Sequence, residues 1–246
     1  MSAHGDIWPP LIGLSLGSFG YGLLLLAKGS MYGLVGIFFF IVAMGGFTFK
    51  EIRTKRDKDS YESSLPIDHP KFAMWLFLFS EVIFFSSLIG SSYGIRMHAH
   101  SWPVASEVLN VPITAFNTFV LICSSLTMAL ALDSIKKGDN NGLKKYLVLT
   151  ILFGLTFLGI KLFEYSHLLA EGYVPAKSLF ATTYFVQTGF HGLHVLGGII
   201  AMLFLFGKAQ KSHFTKENHD YVEYTGLYWH FVDIVWILLF PIIYLI

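Results

Sequence analysis

MWLFLFSEVIFFSSLIGSSY, running from Met74 to Tyr93, carries one ionic side chain, Glu81, in an otherwise apolar and small-residue stretch. A helix of this length spans about 30 Å, the thickness of a bilayer's hydrocarbon core. The run therefore reads as a membrane-crossing helix with a carboxyl group near its centre. A charge at that depth costs about 2.5–3.5 kcal/mol on insertion scales, so Glu81 is expected to be protonated, paired or turned toward a polar cavity.

Working outward from this run, stretches of similar length and apolarity recur. Seven spans are expected: Trp8 to Ala27, Met31 to Phe49, Pro70 to Ile95, Pro112 to Leu132, Tyr146 to Ala170, Leu179 to Gly207 and Thr225 to Ile246. Each must satisfy its own backbone hydrogen bonds in lipid, which makes helix the state expected of all seven. Only Lys28, Gly29 and Ser30 separate the first two, so they form a tight antiparallel pair. The fold expected is all-α and polytopic: a two-helix hairpin over residues 1–49, a hydrophilic linker over 50–69, and a five-helix bundle over 70–246.

Composition agrees with this class. Of 246 residues, 54% are hydrophobic and only 13% charged, against roughly 25% charged in a soluble domain. A formal net charge of +1 gives no reason to expect nucleic acid as a partner. The distribution of that charge is informative. Lys50, Arg53, Lys55, Arg56 and Lys58 follow the second span; Lys136, Lys137, Lys144 and Lys145 follow the fourth; Lys208, Lys211 and Lys216 follow the sixth. These loops share one side, and Lys28, Arg96 and Lys177 occupy the other, which places the N-terminus in the cytoplasm or its equivalent. The N-terminal MSAHGDIWPP shows neither a basic secretory region nor an arginine-rich transit pattern, so the first span is expected to be retained. The single cysteine, Cys123, lies in an apolar run and reads as a packing residue. Gly13 with Gly17 and Gly197 with Ala201 are spaced for close helix approach.

Beyond Glu81, the spans hold Lys161, Glu164, Tyr165, His167, Gln187, His191, His194, His230 and Asp233. Three-residue spacing brings Lys161 near Glu164, Glu164 near His167, and His230 near Asp233. Three readings are open. The histidines and carboxylates bind a metal or haem; they line a proton or ion path; or they are hydrogen-bonded packing groups, some of them along a lipid-filled groove. Opposed helix directions put Glu81 at a depth similar to His191 and His194, so a hydrogen bond to either is geometrically available. His98 and His100, with Trp102 beyond, mark an interfacial segment; the two histidines need further ligands to hold a metal.

The runs WLFLFSEVIFF (Trp75 to Phe85), FLGIKLFEY (Phe157 to Tyr165), FVQTGFHGLHVLGG (Phe185 to Gly198) and YWHFVDIVWILLF (Tyr228 to Phe240), with HFTKENH (His213 to His219) and the early WPP, resemble subunit III of the haem-copper oxidases of the cytochrome c oxidase kind. The resemblance implies a first helix pair and a bundle of five with phospholipid held in the cleft between them. It implies no haem or copper in this chain, those cofactors belonging to partner subunits I and II, which reduce oxygen to water and pump protons. It implies a supporting role: direct contact with subunit I, stabilisation of that catalytic subunit and support of its proton uptake, in an oxidase of the aa3 type. Carried over, Glu81 matches the family's buried glutamate and His191 the histidine that would pair with it across the cleft. Glu164 with Tyr165 matches the EY pair, and His230 with Asp233 the WHFVD run. His194, Tyr93 and Arg96 complete the expected polar and lipid-facing set.

Two positions depart from mitochondrial-type members: Gly90 stands where they carry a lipid-framing tryptophan, and Lys161 where they carry glutamine. The electron donor, cytochrome c or quinol, does not touch this subunit in the family, so subunit III of a quinol oxidase or an accessory protein of nitric oxide reductase is an alternative. An independent proton-coupled transporter using Glu81, Lys161 and Glu164 is a third, without the internal repeat usual for that class. The expected location is a prokaryotic cell membrane, with the mitochondrial inner membrane as the alternative.

Overall fold

The computed structural model of the protein describes residues 69–99, 101–175 and 177–245, with isolated helical positions between 34 and 46. The chain divides into two compact units, Met1–Pro66 and Ile67–Ile246. The first two expected spans and the linker lie outside the described residues, a few positions aside.

Among the described residues the structure is wholly helix and connecting turn. It comprises α1 (His69–His98), α2 (Ala105–Val108), α3 (Val111–Lys136), α4 (Asn140–Ala170), α5 (Leu179–Gln210) and α6 (Asp220–Phe240), the last running into a π turn, Pro241–Leu245. Apart from the short α2, each matches an expected span to within six residues at either end. With their runs of 26 to 32 residues, these helices reach about 40–48 Å at 1.5 Å per residue, enough to cross the hydrocarbon and enter both headgroup layers. Five helices are thus long and apolar enough to cross a membrane among the described residues.

Local chemistry sets the ends. Asn110 caps α3 by accepting from the Ile113 amide, with Pro112 in the first turn, where its missing N–H is not needed. Gly138 takes φ 82°, a conformation that favours glycine. There its amide donates to the Ile135 carbonyl and that of Asp139 to Ser134, closing α3 as glycine C-caps do. Asp139 then caps α4 through the amides of Asn141 and Gly142. Pro241 has no N–H to donate backward, and α6 widens there into the π turn.

Packing follows from helices that are apolar on every face. Leu152, Leu155, Leu162 and Phe163 of α4, and Leu193, Ile200, Leu203 and Phe204 of α5, are exposed; in a membrane they meet acyl chains. Leu121 and Met128 of α3, Leu147 and Phe157 of α4, Val195 and Met202 of α5 and Trp236 of α6 are fully buried. Trp229 of α6 is held between two glycines: a Cβ at Gly198 would stand 2.6 Å from its Cε3 and one at Gly154 2.9 Å from its Cη2. The close approach expected near Gly197 falls one residue later, at Gly198, because that position faces the indole; the Gly13 and Gly17 pair lies outside the described residues. On α1, which packs against α5 and α6, only Leu78 and Phe85 are buried.

The two lysine-rich turns of this unit are physically joined. Asn140, at the start of α4, donates from Nδ2 to the Ala209 carbonyl at 3.2 Å and to Ser212 Oγ at 3.1 Å at the end of α5.

Candidate polar sites within the bundle

The polar side chains gather in three places. In the first, α1 meets α5. Glu81 Oε2 lies 3.0 Å from His194 Nε2, both side chains about four-fifths buried. His194 Nδ1 stands 2.7 Å from the Phe190 carbonyl, and Tyr228 donates to the His194 carbonyl at 3.1 Å. Phe84 stacks on the imidazole and Phe85 meets it edge-on. The partner of Glu81 is therefore His194, not the His191 that the resemblance implied. Residues three apart on a helix are offset by about 60° around its axis. That offset leaves His194 toward α1 and turns His191 toward α6.

His191 is 1% exposed, stacked on Trp236 with centroids 4.8 Å apart and edge-on to Phe157. Both of its ring nitrogens are without a hydrogen-bond partner.

The second site joins α4, α5 and the π turn. Lys161 Nζ donates to Glu164 Oε2 at 2.7 Å, to Tyr184 Oη at 3.0 Å and to Tyr244 Oη at 2.5 Å. Tyr244 in turn donates to Glu164 Oε1 at 2.8 Å. The rings of Tyr165, Tyr184, Trp236 and Tyr244 surround the ammonium at 5.1–5.6 Å, within cation–π range. An ammonium offers three donors, and here each finds an oxygen. Tyr165 turns its hydroxyl to Thr188 at 2.6 Å. His167, expected near Glu164, instead lies 3.3 Å from Glu171 at the exposed end of α4. Tyr184 and Tyr244 escape the sequence reading because their partners are remote in the chain. The available signal was stoichiometric: one carboxylate leaves a buried ammonium short of acceptors.

The third site is the seam of α3 and α6. Trp229 Nε1 donates to Ser124 and Trp236 Nε1 to Thr118, both at 2.9 Å. His230 Nδ1 is 3.2 Å from Ser125 Oγ. The hydrogen bond of His230, expected to lie near Asp233 along its own helix, thus runs to a serine of the neighbouring one. Asp233 Oδ1 and Asn117 Oδ1 are buried without a partner.

Tyr93 and Arg96 line a shallow pocket with Trp102, Thr183, Tyr184 and Gln187. Arg96 lies 5.9 Å from the Trp102 ring centre. His98 Nδ1 is held by the Gly94 carbonyl at 2.8 Å, and His100 lies outside the described residues. Among the described residues, no group of three or more His, Cys, Asp or Glu side chains is gathered in a way that could hold a metal ion.

These inward-facing carboxylates, histidines and the lysine sit on the motifs that carried the sequence resemblance, and the family model described as "Cytochrome c oxidase subunit III" matches residues 8–246. The chain belongs to the cytochrome c oxidase subunit III family. It is 34% identical over 174 residues to the cytochrome bo(3) ubiquinol oxidase subunit 3 of Pseudomonas aeruginosa, covering 71% of this chain and 83% of that one. It is 40% identical over 172 residues to a probable cytochrome c oxidase subunit 3 of Mycobacterium leprae, covering 70% and 85%. With the cytochrome c oxidase subunit 3 of Thermostichus vulcanus it shares 34% identity over 183 residues, covering 73% and 90%. As a subunit III of the haem-copper oxidases, the chain is one component of a multisubunit oxidoreductase complex. Its bacterial relatives and the five membrane-length helices among the described residues make it a prokaryotic type of membrane protein.

Proposed function

We propose that this chain is the non-redox third subunit of a respiratory terminal oxidase of the cytochrome c oxidase kind, of the aa3 type, whose subunits I and II carry the haems and copper. The observation that supports this reading best is the use of its intramembrane ionic groups as helix-to-helix ties: Glu81 with His194 from α1 to α5, and Lys161 and Glu164 with tyrosines from α5 and the π turn. Such ties build a support for subunit I, consistent with stabilising that subunit and favouring its proton uptake. The apolar exterior, with Phe72, Trp75, Phe79 and Ile83 exposed on α1, suits contact with phospholipid and neighbouring helices. In this reading a two-helix hairpin over 1–49 and a linker over 50–69 precede the bundle of 70–246. The protein lies in a prokaryotic cell membrane, with its N-terminus and lysine-rich turns cytoplasmic.

The test is a mild-detergent purification of the tagged chain from its native membranes, followed by a reduced-minus-oxidised visible spectrum. Haem bands with co-purifying large subunits are expected; a haem-free, partner-free chain would overturn the assignment. A quinol-oxidising complex is the second reading, favoured by the similarity to a subunit named for ubiquinol oxidase. A copper-binding Cys/His cluster in the accompanying subunit II, together with oxidation of reduced cytochrome c, distinguishes the first from the second.

A further inference from the structure

At the end of the bundle opposite the lysine-rich turns, an open pocket of about 460 Å³ lies where α2 leads into α3 beside the last two turns of α4. Leu109 and Leu168, both nearly fully buried, form its floor. Ile113 and Phe163 also line it and are exposed, so its apolar wall is open toward the acyl chains. Three carboxylates line the pocket, Glu107, Glu164 and Glu171, and no lysine or arginine does. Glu164 lies about 10 Å deeper along α4 than Glu171, and its two oxygens are already met by Lys161 and Tyr244. The two at the mouth are not so met. Glu171 has the His167 ring nitrogen 3.3 Å away, and Glu107, which is exposed, has no ion-pair partner among the described residues.

We infer that this pocket is a docking site for a membrane helix of a neighbouring oxidase subunit that carries a lysine or arginine near its end. Such a side chain joins an apolar stem to a cationic tip and snorkels from a helix end toward the membrane surface. Its stem lies over Ile113 and Phe163, and its tip reaches Glu107 and Glu171. The exposed carboxylates steer the cation in and fix the register of the two helices. One basic anchor seated in a pocket also suits the way a few residues carry most of an interface's binding energy. A phospholipid fits less well, because its phosphate would face three carboxylates with no lysine or arginine in the lining to offset the repulsion. A bare metal ion fits less well too: the described residues gather no ligand set for one, and an ion would leave the apolar wall uncovered. The inference rests on the reading of this chain as one subunit of an oxidase and adds to it a surface and the chemistry of what that surface receives.

The test is photo-crosslinking in the complex that purifies with the full tagged chain in mild detergent, with haem bands reporting that the partner subunits are present. A benzophenone side chain is placed at Ile113, and the adducts are mapped by mass spectrometry. Light is expected to join it to one membrane helix of a partner subunit, within about one helical turn of a lysine or arginine. Glu107→Gln/Glu171→Gln is expected to lower the adduct yield about two- to tenfold, the size of two exposed ion pairs. High salt is expected to lower the yield in the unmodified complex more than in that variant, because exposed pairs are screened. The same probe at Leu203, on the exposed face of α5, is expected to be indifferent to both changes. An adduct with lipid alone, with another part of this chain or with a partner segment lacking a basic residue would overturn the docking site, as would a yield that the two glutamines leave unchanged. If the probe at Ile113 prevents assembly, the same probe at Val108, another lining residue, decides. A haem-bearing complex without an adduct overturns this inference alone, whereas a chain free of haem and partners overturns the oxidase reading and the docking site with it.

Discussion

His194 holds the Phe190 carbonyl with one ring nitrogen, at 2.7 Å, and Glu81 with the other, at 3.0 Å. A carbonyl only accepts, so Nδ1 must carry a proton and donate it. The contact between Nε2 and Glu81 then requires one more proton, borne by either the imidazole or the carboxyl group. In both cases the pair is electrically neutral as a unit, which is how an acidic group can sit in the middle of a membrane helix without the full penalty of an isolated charge.

Glu81→Gln is expected to leave the complex close to its original stability, because an amide can donate to a bare Nε2 or accept from a protonated one. Glu81→Ala strands that nitrogen and is expected to cost about 1–3 kcal/mol. Thermal melting of the purified complex checks the ordering. Under the proposed supporting role, Glu81→Ala also shortens the time the enzyme sustains turnover more than it lowers the initial oxygen-consumption rate. An immediate and complete loss of rate in a normally assembled complex would contradict that role.

Lys161→Met removes the cation that Glu164 faces and leaves the carboxylate with the Tyr244 hydroxyl as its remaining tie. Removing one member of a buried pair typically costs about 3–5 kcal/mol. The double variant Lys161→Met/Glu164→Leu is expected to recover much of that loss, since neither charge is then buried alone. Denaturation of Lys161→Met, Glu164→Leu and the double variant under identical detergent conditions measures the coupling; a double-variant loss equal to the sum of the two single losses would mean that Lys161 and Glu164 contribute independently.

Gly198→Ala puts a methyl group 2.6 Å from Trp229 Cε3, within a ring held on its other side by Gly154. The overpacking is expected to cost about 1–3 kcal/mol. Gly159→Ala meets nothing within 4 Å and should gain up to about 1 kcal/mol from helix propensity. Opposite signs for two identical substitutions, read by thermal melting, are the expected result.

Tyr244→Phe keeps the ring and deletes the hydroxyl that donates to Glu164 and accepts from Lys161. A loss of about 1–2 kcal/mol is expected, whereas Tyr221→Phe at the exposed start of α6 should be neutral. Proteolysis at the C-terminus adds a local readout, because the hydroxyl ties the π turn to α4. A Tyr244→Phe chain that resists trimming as well as the unmodified one would show that the tie is dispensable.

Much of the bundle was legible in the chain itself. The spans beginning near Pro70, Pro112, Tyr146, Leu179 and Thr225 reappear as α1, α3, α4, α5 and α6, because a lipid environment leaves a long apolar segment one way to satisfy its backbone. Lys161 with Glu164 was also legible, since three-residue spacing on a helix brings side chains together wherever the helix is placed. The same rule did not name the partners that His167 and His230 bond. Spacing shows what can meet, but Glu171 and Ser125 were the better-placed partners.

Apolar length and the motifs around Glu81, Lys161, His191 and His230 by themselves determined a helical membrane bundle and the family to which it belongs. They determined as well which side chains would have to be satisfied inside it. Only the tertiary structure decided the partners: which of two histidines three residues apart faces Glu81, that Tyr184 and Tyr244 close around Lys161, and that His191 is left beside Trp236 without a bond. The physical reason is rotational. Sequence fixes the order of residues along a helix axis, while the turn of each helix about that axis is set by how its neighbours pack, as Trp229 is set between Gly154 and Gly198.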